Sequence, residues 1–292
     1  MTAILEEICR PSEVHDLTTA TNLAKEAMQE MILCTLSKDG FFDIAPFHGG
    51  TCLRILHGLD RFSEDLDFTL LAEDRDFDFT PYSGGIIRAF RDIGVNVHNS
   101  PRPPRGELQV FSDKIKVNLR EMLGACGFAD RVVRAAHSQE NCVVKIDVDI
   151  CTPGYTRDEV VHKSAPLEYS VRTESLPVLF AGKTSAVLCR HWGKRVKGRD
   201  LYDFRWYVEH DVPIDLECLR MRIGKKCAQD VWEEGDTIED ALCRRFDTLD
   251  WDSAREDLEN FVESSEKIGQ WGPEPFKELA GRIRILGEGN NN

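Results

Sequence analysis

Apolar side chains recur at helical spacing near the N-terminus. Leu17, Ala20, Leu23, Ala24, Ala27, Met28, Met31 and Ile32 predict a helix over residues 17–36, with Asp16 as its N-cap. A short buried strand is expected at 44–47. Gly49 and Gly50 break it and open a short helix that runs to about His57. "DLDFTLL" (65–71) reads as a strand, a helix follows over about 83–93, and the Pro-rich "SPRPPRG" connects it onward. Residues 107–120 and 141–150 alternate as strands do. From 182 the period turns helical, with helices expected near 182–193, 200–209, 215–227, 236–246, 252–267 and 274–286, and a frayed "GEGNN" tail. There is no internal repeat. Strands mixed with helices come first and helices come last. This predicts an α/β (α+β) half over residues 1–180 and a helical half over 181–292.

Alternation sorts the strand residues by face. Ser63, Asp65, Asp67 and Thr69 share one face of the first strand, and Phe62, Leu66, Phe68 and Leu70 share the other, which is the natural core face. In 141–150, Val144, Ile146, Val148 and Ile150 form an apolar face opposite Lys145, Asp147 and Asp149. If the two strands are neighbours, up to four carboxylates share one surface.

Composition narrows the picture. The chain has 292 residues, of which 41% are hydrophobic, enough to bury a core. No stretch approaches the roughly 20 apolar residues of a membrane span. The start, "MTAILEEICR", lacks a basic segment followed by an apolar run, so no signal peptide is expected. Ten cysteines contain no C-x-x-C and the eight histidines no metal-spaced pair, so neither a disulfide framework nor structural zinc is expected, and a reducing cytoplasm fits best. The net charge of −14 excludes a general affinity for phosphate backbones. Charge is segregated, however. Residues 183–205 hold seven bases (Lys183, Arg190, Lys194, Arg195, Lys197, Arg199, Arg205) against Asp200 and Asp203. Residues 206–292 hold 21 acids against 11 bases.

The acidic strand face invites a chemical reading. Two carboxylates about 6–7 Å apart on a strand raise each other's pKa unless a cation lies between them. A divalent ion resolves the conflict, and magnesium prefers one or two carboxylates plus substrate phosphates. Asp65 and Asp67 with Asp147 from an adjacent strand suit a two-metal site for phosphoryl or nucleotidyl transfer. Solvent-facing aspartates on a half-exposed strand are the plainer reading. Gly49-Gly50-Thr51 opens a helix, exposing N–H groups that favour an anion, with the Thr51 hydroxyl as a further donor. An ordinary tight turn is again the plainer reading. Ser63 either donates to a phosphate oxygen or is a small residue fitting beside the metals. On a continuous helix, Lys183, Val187, Arg190 and Lys194 fall at i, i+4, i+7 and i+11, a cationic stripe, and Asp200 and Asp203 lie three apart on the next helix. A solvated basic face is the alternative there.

"GGTCLRILHGLDRFSEDLDF" closely resembles the signature of the AbiEii-like nucleotidyltransferases, toxin components of type IV toxin–antitoxin systems related to the MenT toxins. Gly49, Gly50, Thr51, Leu53, Arg54, Arg61, Ser63, Asp65, Leu66, Asp67 and Phe68 carry the first motif. Lys183, Arg190, Arg199, Asp200, Tyr202 and Asp203 carry the second. His48 stands where the family commonly has a lysine before the glycines, a departure not expected to affect catalysis.

The resemblance implies a polymerase-β-like nucleotidyltransferase core with a mixed sheet, followed by a helical domain that completes the NTP site. It implies that Asp65 and Asp67 hold magnesium (manganese being a substitute), that Lys183 contacts the triphosphate and that Asp200 is a further essential acid. Asp147 is placed as third metal carboxylate by strand logic alone. Gly49, Gly50, Thr51, Ser63, Lys183 and Arg190 are the expected nucleotide contacts. The expected reaction transfers NMP to an acceptor hydroxyl, with the tRNA 3′ end as the expected acceptor, and a cognate antitoxin is the expected protein partner. A protein, sugar or antibiotic acceptor, or nucleotide binding without turnover, are the competing readings.

Overall fold

The computed structural model describes residues 2–104, 109–151, 157–192, 195–227, 231–233, 235–262 and 268–287. Two compact units form, Met1–Thr152 with Asp158–Thr173, and Pro153–Arg157 with Glu174–Asn292.

The first unit begins with α1 (Thr2–Cys9) and α2 (Leu17–Lys38), then β1 (Phe47–His48), α3 (Gly49–His57), β2 (Asp65–Thr69) and α4 (Thr80–Arg91). β3 (Val97–His98), β4 (Val110–Asn118), α5 (Leu119–Ala125), α6 (Asp130–Ala135), β5 (Asn141–Asp149), β6 (Asp158–Lys163) and β7 (Tyr169–Glu174) follow. The strands make one mixed sheet in the order β3-β4-β5-β2-β1-β7-β6. β2 runs parallel to β5 and β1 parallel to β7, while β1–β2, β3–β4 and β4–β5 are antiparallel.

Helix α2 forms where its period predicts, and Asp16 caps it by accepting from the Thr19 N–H at 2.8 Å. Its buried stripe, including Ala24, Met28, Met31 and Ile32, lies against β5 and α4. The predicted core face of β2 is also found, with Leu66 and Phe68 buried. Phe41 meets Phe68 edge-on at 5.0 Å, and Phe47 meets it at 5.3 Å. Each such ring contributes about 1.5–3 kcal/mol by leaving water.

Several boundaries differ from the sequence reading. Residues 41–43 form a 3-10 turn and the strand starts only at Phe47. The strand of Asp65 starts at Asp65 itself, so Ser63 lies in the preceding loop rather than on the strand face. β4 starts at Val110, and part of the expected strand, 107–108, lies outside the described residues. The β6–β7 pair and the short helices α1, α5 and α6 add to the elements expected from the sequence.

The second unit holds α7 (Leu176–Cys189), α8 (Gly198–Glu209), α9 (Leu216–Lys226), α10 (Ile238–Asp247), α11 (Trp251–Leu258) and α12 (Pro273–Ala280). α7 is apolar on nearly every side and packs between α8 and α9. Phe180 of α7 stacks on Tyr207 of α8 at 4.8 Å. Gly198 is fixed by close approach, because a Cβ there would lie within van der Waals overlap of the Ala254 carbonyl of α11.

α7 starts six residues earlier than the period indicated and stops at Cys189. Arg190 has extended backbone (φ −70°, ψ 127°), and Lys194 lies outside the described residues. The expected helical stripe of Lys183, Arg190 and Lys194 is therefore not formed. Arg245 ends the helix by donating to the carbonyls of Val187 at 3.0 Å and Arg190 at 2.6 Å. α11 and α12 are also shorter than predicted, with residues 263–267 outside the described set and Ile285 in an isolated bridge to Ile214. Cys189 and Cys227, 38 residues apart, form a disulfide between the ends of α7 and α9, with Cα atoms 5.0 Å apart, while the other eight cysteines are free. Spacing along the chain carried no sign of that bridge, since helix packing alone brings the two thiols together.

Candidate active site

The parallel register of β2 and β5 pairs Asp65 with Lys145, Asp67 with Asp147 and Thr69 with Asp149. All point to the face opposite the buried Leu66 and Ile146. β1 adds His48, which is directly opposite Asp67 and whose Nε2 lies 3.0 Å from the Thr69 hydroxyl. β4 adds Ser112, opposite Asp147, whose hydroxyl donates to Asp147 Oδ1 at 2.6 Å. Lys145 forms an ion pair with Asp147 Oδ2. Lys145, Ser112 and His48 thus join the acidic surface. Strand alternation showed Lys145 there, but the neighbours of β1 and β4 were not readable from spacing.

The glycine turn packs directly on this face. Gly49 has φ +85°, and a Cβ on it would stand 2.5 Å from Asp67 Oδ2. Only glycine allows both the backbone angle and the approach. Gly50 continues the first turn of α3.

Thr51 corrects an expectation. It is fully buried, and its hydroxyl donates to the main-chain carbonyl of Asp65 and lies 2.9 Å from the Ser63 hydroxyl. It is a tie on the strand's entry and not a surface donor for an anion. Gln29 donates to the Ser63 carbonyl at 3.0 Å, and buried Arg61 donates to the Phe62 carbonyl at 2.8 Å. Arg54 pairs with Glu26 at 2.7 Å and covers the Phe62 ring. Much of the first motif therefore fixes the loop that delivers Asp65.

The second unit carries its own charged cluster. Lys183 is the single charge in α7, and a buried ammonium is costly unless paired. Its Nζ lies 2.7 Å from Asp200 Oδ1 and 2.8 Å from Asp203 Oδ2, both buried on α8. Arg190 forms an ion pair with the other oxygen of Asp200. Although Arg190 has left the helix, it meets Lys183 through this shared acid. Arg199 pairs with the buried Asp257 at 3.5 Å and covers Phe261. The structure thus gathers Gly49, Thr51, Ser63, Asp65, Asp67 and Asp147 within the first unit, and Lys183, Arg190 and Asp200 within the second.

The electrostatics agree with the geometry. Burial raises the Asp65 carboxyl above its ordinary value, and the Asp67 charge raises it further. Burial pulls the Lys145 ammonium down, but Asp147, Asp65 and Asp67 outweigh that and hold it above the usual lysine value. For Asp200, burial acts upward, yet Lys183 and Arg190 together hold it at about 2. Among the described residues, no three His, Cys, Asp or Glu side chains converge as a ready-made metal cluster. The donor chemistry nonetheless suits a hard divalent cation, because it offers carboxylate oxygens on adjacent strands, with Asp67 drawn close to the Gly49 backbone.

Among solved structures, the chain is similar to JHP933 from Helicobacter pylori, with 16% identity, 89% of this chain and 90% of that chain covered, and a TM-score of 0.51. It is also similar to MenT4, a nucleotidyltransferase toxin from Mycobacterium tuberculosis, with 14% identity, 97% and 99% coverage and a TM-score of 0.48. The first likeness shows a shared fold. No curated protein matches the chain in sequence. The class comes from residues 31–280, which match the family model described as the nucleotidyl transferase AbiEii toxin of type IV toxin–antitoxin systems. The chain belongs to the AbiEii family.

Proposed function

We propose that this AbiEii-family protein transfers NMP from a nucleoside triphosphate to an acceptor hydroxyl, with the 3′ end of tRNA as acceptor. The observation that carries the reading is the register that sets Asp67 beside Asp147, with Asp65 two residues away on the same face. Asp65, Asp67 and Asp147 would hold magnesium, which supplies charge neutralisation for the triphosphate and the leaving group, in the two-metal form used by nucleotidyl transfer.

The chain's own groups have distinct parts. The acceptor hydroxyl loses its proton near Asp147. Its oxygen forms a bond to the α-phosphorus as the bond from that phosphorus to the bridging oxygen breaks, and pyrophosphate departs. Lys183 and Arg190, the cationic cluster of the second unit, are the proposed triphosphate contacts, as the family resemblance implies. Asp200 and Asp203 orient the Lys183 ammonium and so act through it. The backbone of the Gly49-Gly50 turn lies against the acidic face and donates to phosphate oxygens. Ser63 stands beside it.

The basic segment 183–205 is where the RNA backbone would lie, since 206–292 carries a net charge of −10 that repels it. The proposed site of action is the cytoplasm, with a cognate antitoxin as the protein partner. Incubation with each labelled NTP, magnesium and either total tRNA or total protein tests the acceptor. Label on tRNA is expected. Label on protein would replace the acceptor, and binding without transfer would overturn the enzymatic reading.

A further inference from the structure

We propose that Lys145 is the resident counter-charge of the acidic face, a built-in competitor that sets how tightly this face holds a divalent cation. The inference rests on reading Asp65, Asp67 and Asp147 as the metal site.

Lys145 is placed by two independent constraints. It is the register partner of Asp65 across β2 and β5, and alternation puts it on the same face as Asp147 two positions later. Its ammonium pairs with Asp147 Oδ2, while the Ser112 hydroxyl occupies Oδ1. Each oxygen of Asp147 thus already faces a donor, and a cation recruiting this carboxylate meets the Lys145 charge beside it.

The energetics favour such an exchange. Three carboxylates on adjacent strands of one face repel each other, and one ammonium among them lowers that repulsion when no metal is bound. The lysine side chain remains 37% exposed on a flexible four-carbon stem, so it can withdraw toward solvent. Asp147 is less exposed, at 20%, on its short side chain. A dication carries twice the charge and prefers several carboxylate oxygens, which an ammonium does not coordinate. Metal therefore wins at sufficient concentration, and Lys145 decides what concentration is sufficient. A unit charge a few ångströms from a bound ion, at the effective dielectric near a protein surface, shifts the binding constant roughly tenfold or more.

The test titrates manganese(II) into the full-length protein without nucleotide, following the free ion by its paramagnetic resonance. Wild type is compared with Lys145→Met, Lys145→Gln and Lys145→Arg. The two neutral variants should bind manganese roughly tenfold tighter than wild type, and Lys145→Arg should bind close to wild type. Without metal, the neutral variants should melt at lower temperature, and saturating manganese should close the gap. Lys145→Gln, polar like its surroundings, keeps the comparison intact if Lys145→Met misfolds. Unchanged or weaker affinity in a folded neutral variant overturns the inference alone. A wild type that takes up no manganese overturns the metal-site reading together with it.

Discussion

Thr51 shows how a single hydroxyl holds the entry of the acidic strand β2. Its hydroxyl O–H donates to the Asp65 carbonyl from a fully buried position. Removing it leaves that carbonyl short of a donor inside the protein, at a cost of about 1–3 kcal/mol. Thr51→Val should therefore lower the unfolding free energy by that amount and slow nucleotide transfer. Thr51→Ser, which keeps the hydroxyl, should retain most of both, as read from urea unfolding beside an activity assay. Equal behaviour of the two variants would show that the hydroxyl is dispensable. The sequence made Gly49, Thr51, Asp65 and Asp67 visible as a group because they are close along the chain. It did not show that Thr51 faces inward, because direction within one helical turn depends on what the helix packs against. The pairing of Asp67 with Asp147 was legible as a consequence of alternation once the strands were assumed to be neighbours. Ser112 was not, because its place depends on the register of β4, which no local pattern fixes.

At the scale of elements, α7 and α8 enclose charges that their apolar surroundings would otherwise reject. Lys183 and Arg190 outweigh the burial of Asp200 and hold its carboxyl at about 2, below the ordinary 3.8. A folded value lower than the unfolded one contributes stability that is complete above about pH 4 and is lost as the pH falls toward 2. A shift of this size corresponds to about 2 kcal/mol. Asp200→Asn should flatten the acid limb of the urea-unfolding midpoint between about pH 4 and pH 2, compared with wild type. An unaltered acid limb would show that this cluster does not couple protonation to folding. The sequence period correctly announced helices here and misjudged their ends. α7 is apolar all round, so no stripe marks its boundary, and it terminates where Arg245, from a distant helix, supplies donors to its last carbonyls. A stop imposed by tertiary contact leaves no trace in local periodicity. The disulfide between Cys189 and Cys227 was hidden for the same reason.

Over the whole molecule, the order of strands before helices was readable, and the family match over residues 31–280 spans both motifs read in the sequence. The sheet order was not readable, because β1 and β7 pair across more than a hundred residues. The strongly acidic balance, −14 overall, sets the remaining expectation that binding to nucleic acid depends on neutralising cations and on a limited basic segment. The central claim, that the acidic side chains of β2 serve nucleotidyl transfer, is tested most directly by the rate at which labelled NTP marks its acceptor in the presence of magnesium, for wild type and Asp67→Ala side by side. The account predicts transfer by wild type and a loss on the order of 10³-fold or more in a folded Asp67→Ala protein. Transfer by Asp67→Ala at the wild-type rate would contradict it.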